Sequence, residues 1–439
     1  MSQGCCFKVF GQPPPLSHHN WLDRIDWGKL AKLSVGLWII IQVVLIIVFW
    51  NVDQRSDQGA YLDMATDYFS RGSWYPDIKE LYSTYIWAPG LINMFIAELH
   101  IFGSLKANYF INLILNICIL WNVWFLANRF FSKRTAYISV ILFCFTYSNI
   151  MAVLPAGTEI PFLALAISAF SLCLSNKCIR NLMIAGILLA LANWIRPLVI
   201  TFIPVILLYM FLNKSKASHY IALIVPMIVL TLSFGWMAKK QLGHFCFQST
   251  TSGVNLIMTA NDKAYGGVAT SLLGDSTSIC HIKDANKYTY IEKDSIWKAR
   301  SIEWIKEHPI KFTGLYLAKI AGLYVEDSWA ERPIIGGDGF VDKAAHGKAD
   351  KMAIIKRVLN MLSKSIVYYV ILCLSIISLF KYRKEIITEK GYIILICILC
   401  TLATCIFSVT PRYHYPFLFA LTIWAAYGVD KFLIKREAK

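Results

Sequence analysis

Residues 33–65 read LSVGLWIIIQVVLIIVFW followed directly by NVDQRSDQGAYLDMA. The first part is an apolar run close to membrane-spanning length, without Asp, Glu, Lys or Arg. The second part is polar, and its Asp57, Tyr61 and Ala65 share one face of a helix. A carboxylate on that face would lie at a membrane surface beside a tyrosine. The stretch therefore predicts a membrane protein with an acidic helix directly after its first span.

The composition of the whole chain agrees with a membrane protein. Of its 439 residues, 57% are apolar, 14% are aromatic and only 16% are charged. Soluble domains have roughly 45–50% apolar and about 25% charged residues. This balance excludes a disordered chain and disfavours an ordinary soluble domain. The net charge of +16 is explained by basic cytoplasmic loops and affinity for anionic lipids, without a nucleic-acid partner.

Ten apolar runs that contain no Asp, Glu, Lys or Arg are predicted to span the membrane: 33–50, 108–128, 135–154, 160–174, 182–195, 198–213, 219–238, 365–380, 391–409 and 415–429. Two further apolar stretches, 88–103 and 311–325, carry Glu98 and Lys319 in mid-run. Because a charge at the bilayer centre is costly, we expect both to be helices at the membrane interface.

Ten crossings with the N-terminus inside place the short Lys- and Arg-rich loops in the cytoplasm, as the positive-inside rule requires. The predicted parts are a cytoplasmic tail 1–32, a transmembrane module 33–238 with an acidic outer loop 51–87, a large extracytoplasmic loop 239–362, and C-terminal spans with a basic cytoplasmic tail 363–439. The fold class is an all-α polytopic membrane protein. Cys246 and Cys280 both lie in the large outer loop, and the sequence leaves undecided whether they form a disulfide.

Two acids and two arginines are predicted to lie on the outer face. Asp57 follows the first span, Glu159 opens another span, and Arg196 and Arg412 lie in outer turns. Each also has an explanation without catalysis. Asp57 could belong to a solvated helix, and Glu159 could complement a helix dipole. The two arginines could be interface anchors. Together the four residues suit a reaction between a lipid phosphate and a hydroxyl. Arginines bind phosphate through bidentate hydrogen bonds, and a carboxylate accepts the hydroxyl proton.

The spacing Asp57-x3-Tyr61-x3-Ala65-x6-Gly72 resembles the first outer loop of GT-C fold glycosyltransferases, above all the bacterial aminoarabinose transferase and the protein O-mannosyltransferases. Further motifs are similar and occur in the same order: Trp87-Ala-Pro89-Gly90 with Ile101-Phe102-Gly103, Thr158-Glu159, Arg196-Pro197, Gly253-Val-Asn255-Leu with Gly266-Gly267, Glu307-His308-Pro309 before Lys319, and Arg412-Tyr413-x2-Pro416. The resemblance covers roughly residues 33–430.

The chain departs from the family in two places. It has Trp87-Ala88 where the family often has Arg before Pro-Pro-Gly. Arg71, Lys239 or Lys240 would have to supply that phosphate contact. The chain also ends soon after its tenth predicted span, so the oligosaccharyltransferase branch, which has a soluble C-terminal domain, is less expected.

The resemblance implies transfer of a sugar from a polyprenyl-phosphate donor to an acceptor hydroxyl or amine, with inversion, on the extracytoplasmic face of a bacterial inner membrane. It implies Asp57 as general base and Glu159 as a second catalytic carboxylate. The residues expected to bind the donor phosphate are Arg196, Arg412, Lys239 and Lys240, and those expected to bind substrate are Tyr61, Asn255 and His414. The acceptor is a lipid, a glycan or a protein. No cofactor is indicated with certainty, and a divalent metal ion is left open.

Two other functions compete with this interpretation. A transporter or flippase of a lipid-linked saccharide would share the basic, aromatic character, but it is expected to place ionisable groups at mid-bilayer, where the ten runs have none. A polysaccharide polymerase or ligase of another fold is disfavoured because Asp57 follows the first span instead of lying in a late loop.

Overall fold

The computed structural model describes residues 25–175, 178–335 and 350–437, so most of the predicted tail 1–32 lies outside the described residues. The described part is helical and contains no strand, which confirms the all-α fold class. The α-helices of the first half are α1 Trp27–Val48, α2 Ser56–Ser70, α3 Pro89–Phe102, α4 Ala107–Phe130, α5 Lys133–Cys144, α6 Tyr147–Ile150, α7 Glu159–Ser175, α8 Ile179–Ile195, α9 Phe202–Leu212 and α10 Ala217–Leu242.

The helices of the second half are α11 Ser252–Ile257, α12 Ser271–Gly274, α13 Tyr290–Glu307, α14 Pro309–Leu323, α15 Arg332–Ile335, α16 Lys351–Lys364, α17 Ile366–Lys381, α18 Gly391–Thr404 and α19 Tyr415–Glu437. Short 3-10 segments connect several of them: Ile78–Tyr82, Pro197–Thr201, Ala285–Lys287, Trp329–Glu331, Arg383–Ile387 and Pro411–His414.

Each predicted span overlaps at least one helix, but the count of ten is not confirmed. Within the described ranges, four helical stretches are long and apolar enough to cross a membrane alone: Trp27–Val48, Ala107–Phe130, Ala217–Leu242 and Pro411–Lys435. The pair α16 and α17 passes the same test as one unit but is bent by 64°. Most of the remaining runs fold into shorter apolar helices of 10–17 residues. One run, 135–154, is broken because α5 ends at Cys144 and α6 at Ile150. The chain is a multi-pass membrane protein.

Two helices, α7 and α19, form the centre of the bundle. Their side chains are buried almost all the way round, for example Phe162 and Phe170 in α7 and Phe417 and Trp424 in α19. A helix that is apolar on every face belongs inside a packed bundle. By contrast, α1 and α10 leave rows of large apolar side chains exposed, as lipid-facing helices do. Both central helices begin at a charged turn, Glu159 for α7 and Pro411–His414 for α19.

The two helices predicted to lie at the interface carry their charges inward. Glu98 of α3 is buried, and within the described residues neither of its carboxylate oxygens has a hydrogen-bond partner. Lys319 of α14 is also buried, donates to the carbonyl oxygen of Ile406 at 3.2 Å and lies 5.0 Å from the ring of Phe312. The interface position of both helices stays a prediction.

Candidate active site

Asp57 lies in the first turn of α2, where its carboxylate accepts a hydrogen bond from the guanidinium of Arg412. Arg412 belongs to the 3-10 turn Pro411–His414, which Pro411 begins. This contact joins residues 355 positions apart in the sequence. The Asp57 side chain is 33% exposed and that of Arg412 is 20% exposed. The pair is therefore packed on one side and open on another, as a substrate site requires.

Glu159 lies beside this pair and joins it to the second arginine. Its Oε1 is 3.0 Å from Nη1 of Arg196 and 3.7 Å from Nε of Arg412. Only 3% of the Glu159 side chain is exposed. A buried carboxylate needs such partners because an unpaired charge is costly to bury. The four side chains Asp57, Arg412, Glu159 and Arg196 thus form one array of alternating charge, which we call the charged array.

Local sequence explains how each member reaches the array. Arg196 is extended because it precedes Pro197, whose ring disfavours helical backbone in the preceding residue. The extended residue ends α8 and lets the guanidinium of Arg196 reach α7. Between the arginines lies the ring of Tyr413, 4.6 Å from the guanidinium carbon of Arg196 and 5.4 Å from that of Arg412. The aromatic face stabilises both cations.

Gln54 is a residue that the motifs did not reveal. Its side-chain amide donates to the carbonyl of Leu154 at 2.7 Å and accepts from the amide of Ala156 at 2.8 Å. It thereby connects the loop before Asp57 to the turn before Glu159. Gly59 allows the start of α2 to lie against the backbone of Gln54, because a Cβ atom at position 59 would lie 2.4 Å from the carbonyl oxygen of Gln54. A glutamine in a loop carries no sequence signal of such a role.

A second close approach explains the Pro89-Gly90 motif. A Cβ atom on Gly90 would lie 2.8 Å from the carbonyl carbon of Trp194 and 2.9 Å from the amide nitrogen of Ile195. The start of α3 therefore packs directly on the last turn of α8, immediately before Arg196. A side chain at position 90 would push apart the two helix ends that place this arginine.

The structure puts His414 away from the charged array. The imidazole is fully buried, with Nδ1 3.1 Å from the carbonyl oxygen of Leu323 and Nε2 3.2 Å from Oδ1 of Asp327. The predicted substrate contact of His414 would require an accessible side chain, which this residue lacks. Its contacts instead fix the turn that carries Arg412, two residues earlier in the chain.

Aromatic side chains line the array next to Asp57. Tyr61 is buried and contacts Trp87 edge to face at 5.1 Å, and Tyr85 contacts Trp87 at the same distance. Burial, and after it the negative charge of Asp57, raises the pKa of Tyr61 well above its usual range and that of Tyr85 to about 12. Both phenols are therefore protonated at neutral pH and can donate hydrogen bonds.

Other predicted site residues lie elsewhere. Lys239 and Lys240 are exposed in the last turn of α10, with their amino groups 6.0 Å and 5.7 Å from the ring of Trp236. Arg71 contacts Asp67 at 2.8 Å and Asp77 at 2.6 Å and lies outside the charged array, so its predicted phosphate contact stays a prediction. Asn255 accepts from the hydroxyl and the amide of Ser408, and thus connects the large loop to the segment before Arg412.

The sequence leaves open a disulfide between two cysteines of the large outer loop. Cys246 and Cys280 are buried and free, and they lie in different apolar clusters. The Sγ of Cys246 donates to the carbonyl of Gln248, and that of Cys280 donates to the carbonyl of Ile257. The structure therefore contains no disulfide between them.

The charged array does not fit a divalent metal ion. Its two carboxylates, Asp57 and Glu159, both contact the guanidinium of Arg412, whose positive charge occupies the place between them. In the described ranges no group of three or more His, Cys, Asp or Glu side chains is arranged to hold a metal. The geometry instead offers hydrogen-bond donors. The Nε–H of Arg412 is buried and, among described residues, lacks a hydrogen-bond partner.

Comparison with solved structures identifies the fold. The oligosaccharyltransferase of Archaeoglobus fulgidus in its apo form superposes with a TM-score of 0.51 at 13% identity, covering 96% of this chain and 52% of that one. The same protein in complex with Zn and sulfate gives 0.50 at 13% identity, covering 92% and 49%. ArnT from Cupriavidus metallidurans bound to undecaprenyl phosphate gives 0.38 at 10% identity, covering 93% and 79%. The superposition on the archaeal oligosaccharyltransferase shows the GT-C fold, as the sequence resemblance predicts.

A family model adds a match within this fold. Residues 89–237 match the family described as dolichyl-phosphate-mannose-protein mannosyltransferase. The matched region runs from the start of α3 almost to the end of α10 and contains Glu159 and Arg196. No curated protein matches this chain. The chain spans about half the length of the archaeal oligosaccharyltransferase.

Proposed function

We propose that this protein is a membrane glycosyltransferase that moves a sugar from a polyprenyl-phosphate donor to an acceptor hydroxyl or amine, with inversion at the anomeric carbon. The convergence of Asp57, Glu159, Arg196 and Arg412 in one partly open array is the observation that carries the proposal. The family match supports a donor of the dolichyl-phosphate-sugar type. The acceptor is a lipid, a glycan or a protein.

The arginines are assigned to the donor phosphate. The leaving group of the reaction is a phosphate ester anion, which is weakly basic and needs cationic stabilisation more than a proton. Arg412 has an unused buried N–H, and Arg196 is 14% exposed beside it. Both can reach an anion that enters next to Tyr413. Lys239 and Lys240, exposed on α10, are left for contacts with membrane lipids.

Asp57 is assigned as the general base. Of the two carboxylates it is the more exposed, at 33% against 3% for Glu159. The acceptor oxygen attacks the anomeric carbon while the bond from that carbon to the phosphate oxygen breaks, and its proton passes to Asp57. The bonding electrons leave with the polyprenyl phosphate. Attack opposite the leaving group inverts the anomeric carbon.

The ion pair between Asp57 and Arg412 implies that the donor binds before Asp57 acts as a base. In the pair, Oδ2 of Asp57 is occupied by the hydrogen bond from Arg412. A donor phosphate that binds Arg412 competes with Asp57 for the same guanidinium. Donor binding therefore releases the base in the complex where it is needed. Glu159, held by both arginines, keeps the two cations together after this exchange.

The aromatic group beside the array is assigned to the sugar. Trp87 stands where the family often has an arginine, and Tyr61 and Tyr85 both contact its ring. Aromatic side chains pack against the apolar faces of sugar rings, and phenol groups donate to sugar oxygens. This chain thus replaces a phosphate contact by an aromatic surface next to Asp57.

The reaction is placed on the extracytoplasmic side, and contacts between the two outer segments support this. Lys293 donates to the carbonyl oxygens of Tyr82 at 2.6 Å and Ser83 at 3.1 Å, and the amide of Thr250 donates to the carbonyl of Ile86. These contacts support a position of the described parts of 51–87 and 239–362 on one side of the membrane, and the Lys- and Arg-rich short loops favour the extracytoplasmic side for both.

Cysteine labelling tests this side assignment. In a chain whose Cys5, Cys6, Cys178 and Cys373 are replaced by serine, Lys283→Cys should react with a membrane-impermeant thiol reagent in intact cells. A cysteine tag at the C-terminus should react only after permeabilisation. Labelling of the C-terminal tag in intact cells would contradict the topology.

The activity itself is tested by the fate of the donor. In cells that lack this protein, mass spectrometry should show one sugar missing from a surface glycan, lipid or protein, and an accumulated intact polyprenyl-phosphate sugar. Restoring the protein should convert that donor into free polyprenyl phosphate. A flippase would move the donor without cleaving it, so a restored glycan with no increase in polyprenyl phosphate in purified membranes would contradict a transferase.

A further inference from the structure

Helix α16, in the region predicted to lie outside, has exposed faces that the charged array does not explain. Its sequence, KMAIIKRVLNMLSK, places Met352, Ile355, Val358, Leu359 and Leu362 within one third of its circumference. All five side chains are exposed, and no residue of α16 is buried. Exposed apolar area costs about 25 cal/mol per Å² relative to burial. This face therefore requires an apolar environment.

The opposite face of α16 is basic. Arg357 and Lys364 lie there, Lys351 begins the helix, and the helix contains no acid. Lys364 is engaged with Glu331, with Nζ–O distances of 2.6 and 2.8 Å. Lys356 lies at the border of the apolar face, and the half-buried Arg357 lies on the opposite face. A helix with one apolar and one basic face is typical of segments that lie on anionic membranes.

The geometry after α16 specifies how it meets the membrane. It continues through Ser365 into the apolar helix α17, and the two are bent by 64°. If α17 crosses the bilayer, as predicted for 365–380, a helix bent 64° from it lies closer to the membrane plane than to the membrane normal. The bend is fixed, because the Ser365 hydroxyl oxygen accepts from the amide of Asp327 at 3.0 Å and Ser365 is fully buried.

We propose that α16 is a membrane-docking helix that lies in the lipid interface, with its apolar face among the acyl chains and Lys351, Lys356 and Arg357 on the phosphates of anionic lipids. The same bend connects it to the charged array, since Asp327 contacts both Ser365 and His414. Docked in this way, α16 holds the turn of Arg412 at the depth of lipid phosphate groups. The lipid contact itself does not depend on the proposed transferase activity.

Hydrogen exchange of the full chain in nanodiscs tests this inference. The amides of α16 should exchange more slowly in nanodiscs that contain phosphatidylglycerol than in nanodiscs of phosphatidylcholine alone. Each base near an anionic surface contributes about fivefold to binding. The double variant Lys356→Glu/Arg357→Glu should therefore reduce this protection by at least about tenfold. The matched control, Lys283→Glu/Lys306→Glu, reverses two exposed lysines of the outer loop and should keep it.

A second variant separates the apolar contact from the charges. With benzoylphenylalanine in place of Leu359, illumination should crosslink lipid to the chain, whereas the same group in place of Asn360, on the polar face, should not. Three results would overturn the inference. These are equal protection in both lipids, protection that depends on protein concentration and so indicates a second copy on this face, or crosslinking to protein alone.

Discussion

Replacing Asp57 by Asn should lower turnover by about 10²–10⁴-fold, the usual effect of losing a general base. Asn preserves the shape of the side chain and can accept a hydrogen bond from Arg412 through its carbonyl oxygen. It cannot take the acceptor proton. Binding of the polyprenyl-phosphate donor should persist or improve, because the negative charge that competes with the phosphate for Arg412 is gone. Initial rates of polyprenyl phosphate release, with donor binding measured separately, check both parts.

Other acids of the first outer loop provide matched controls. Asp63 is exposed on the same helix and Asp53 is exposed four residues before Asp57, so Asn at either position should cost less than about tenfold in rate. Asp77 is a poorer control, because it bonds Arg71 and Tyr68 and its loss would loosen the loop. An active Asp57→Asn with an inactive Asp53→Asn would mean that the wrong carboxylate was assigned. If every one of these variants stayed active, the acidic helix would be a solvated surface.

Replacing Arg412 by Lys should weaken donor use by about 10–100-fold, since a hydrogen bond to a charged group is worth about 1.5–3 kcal/mol. Lysine keeps the charge but loses the planar group that contacts Asp57 and Glu159 together. Arg412→Ala should cost more, because it also leaves two neighbouring carboxylates without their shared cation. The loss should appear in the donor KM more than in folding, which thermal unfolding of the purified chain checks.

Lys239→Ala and Lys240→Ala are the controls for charge alone. Both lysines are exposed on α10 and contact Trp236, so each variant should stay within about threefold of wild type, in the range of screened surface charges. Full turnover in Arg412→Ala would show that the phosphate site lies elsewhere. Loss of turnover in Lys239→Ala would move that site toward the end of α10.

The sequence was sufficient for the class of fold and for the residues of the array, and physical reasons explain where it was not. Apolar runs and the order of weak motifs predict a polytopic GT-C fold, because lipid imposes long apolar segments whatever their packing. The number of spans could not be read in this way. Breaks such as the one after Cys144 depend on tertiary contacts, among them the bond from the amide of Ser148 to the carboxylate of Asp327.

The internal geometry of the site was also beyond the sequence. Asp57, Glu159, Arg196 and Arg412 stood out as charges near predicted outer turns, yet nothing in their spacing indicates that acids and arginines pair with one another. His414 looked equally available from its place in Arg412-Tyr413-His414, but helical geometry turns it inward to Asp327. Gln54 was missed because its two bonds are to backbone groups about 100 residues away.

The 355-residue separation of Asp57 and Arg412 has a consequence for biosynthesis. The ribosome delivers Asp57, Glu159 and Arg196 to the membrane long before Arg412 emerges. Until then these groups carry a net charge of −1, with a cation missing beside two carboxylates. Helix α19 follows the turn that carries Arg412. Insertion of that helix therefore completes the central packing and neutralises the site in one event, and a nascent chain that ends before α19 has α7 without its central partner and an incomplete site.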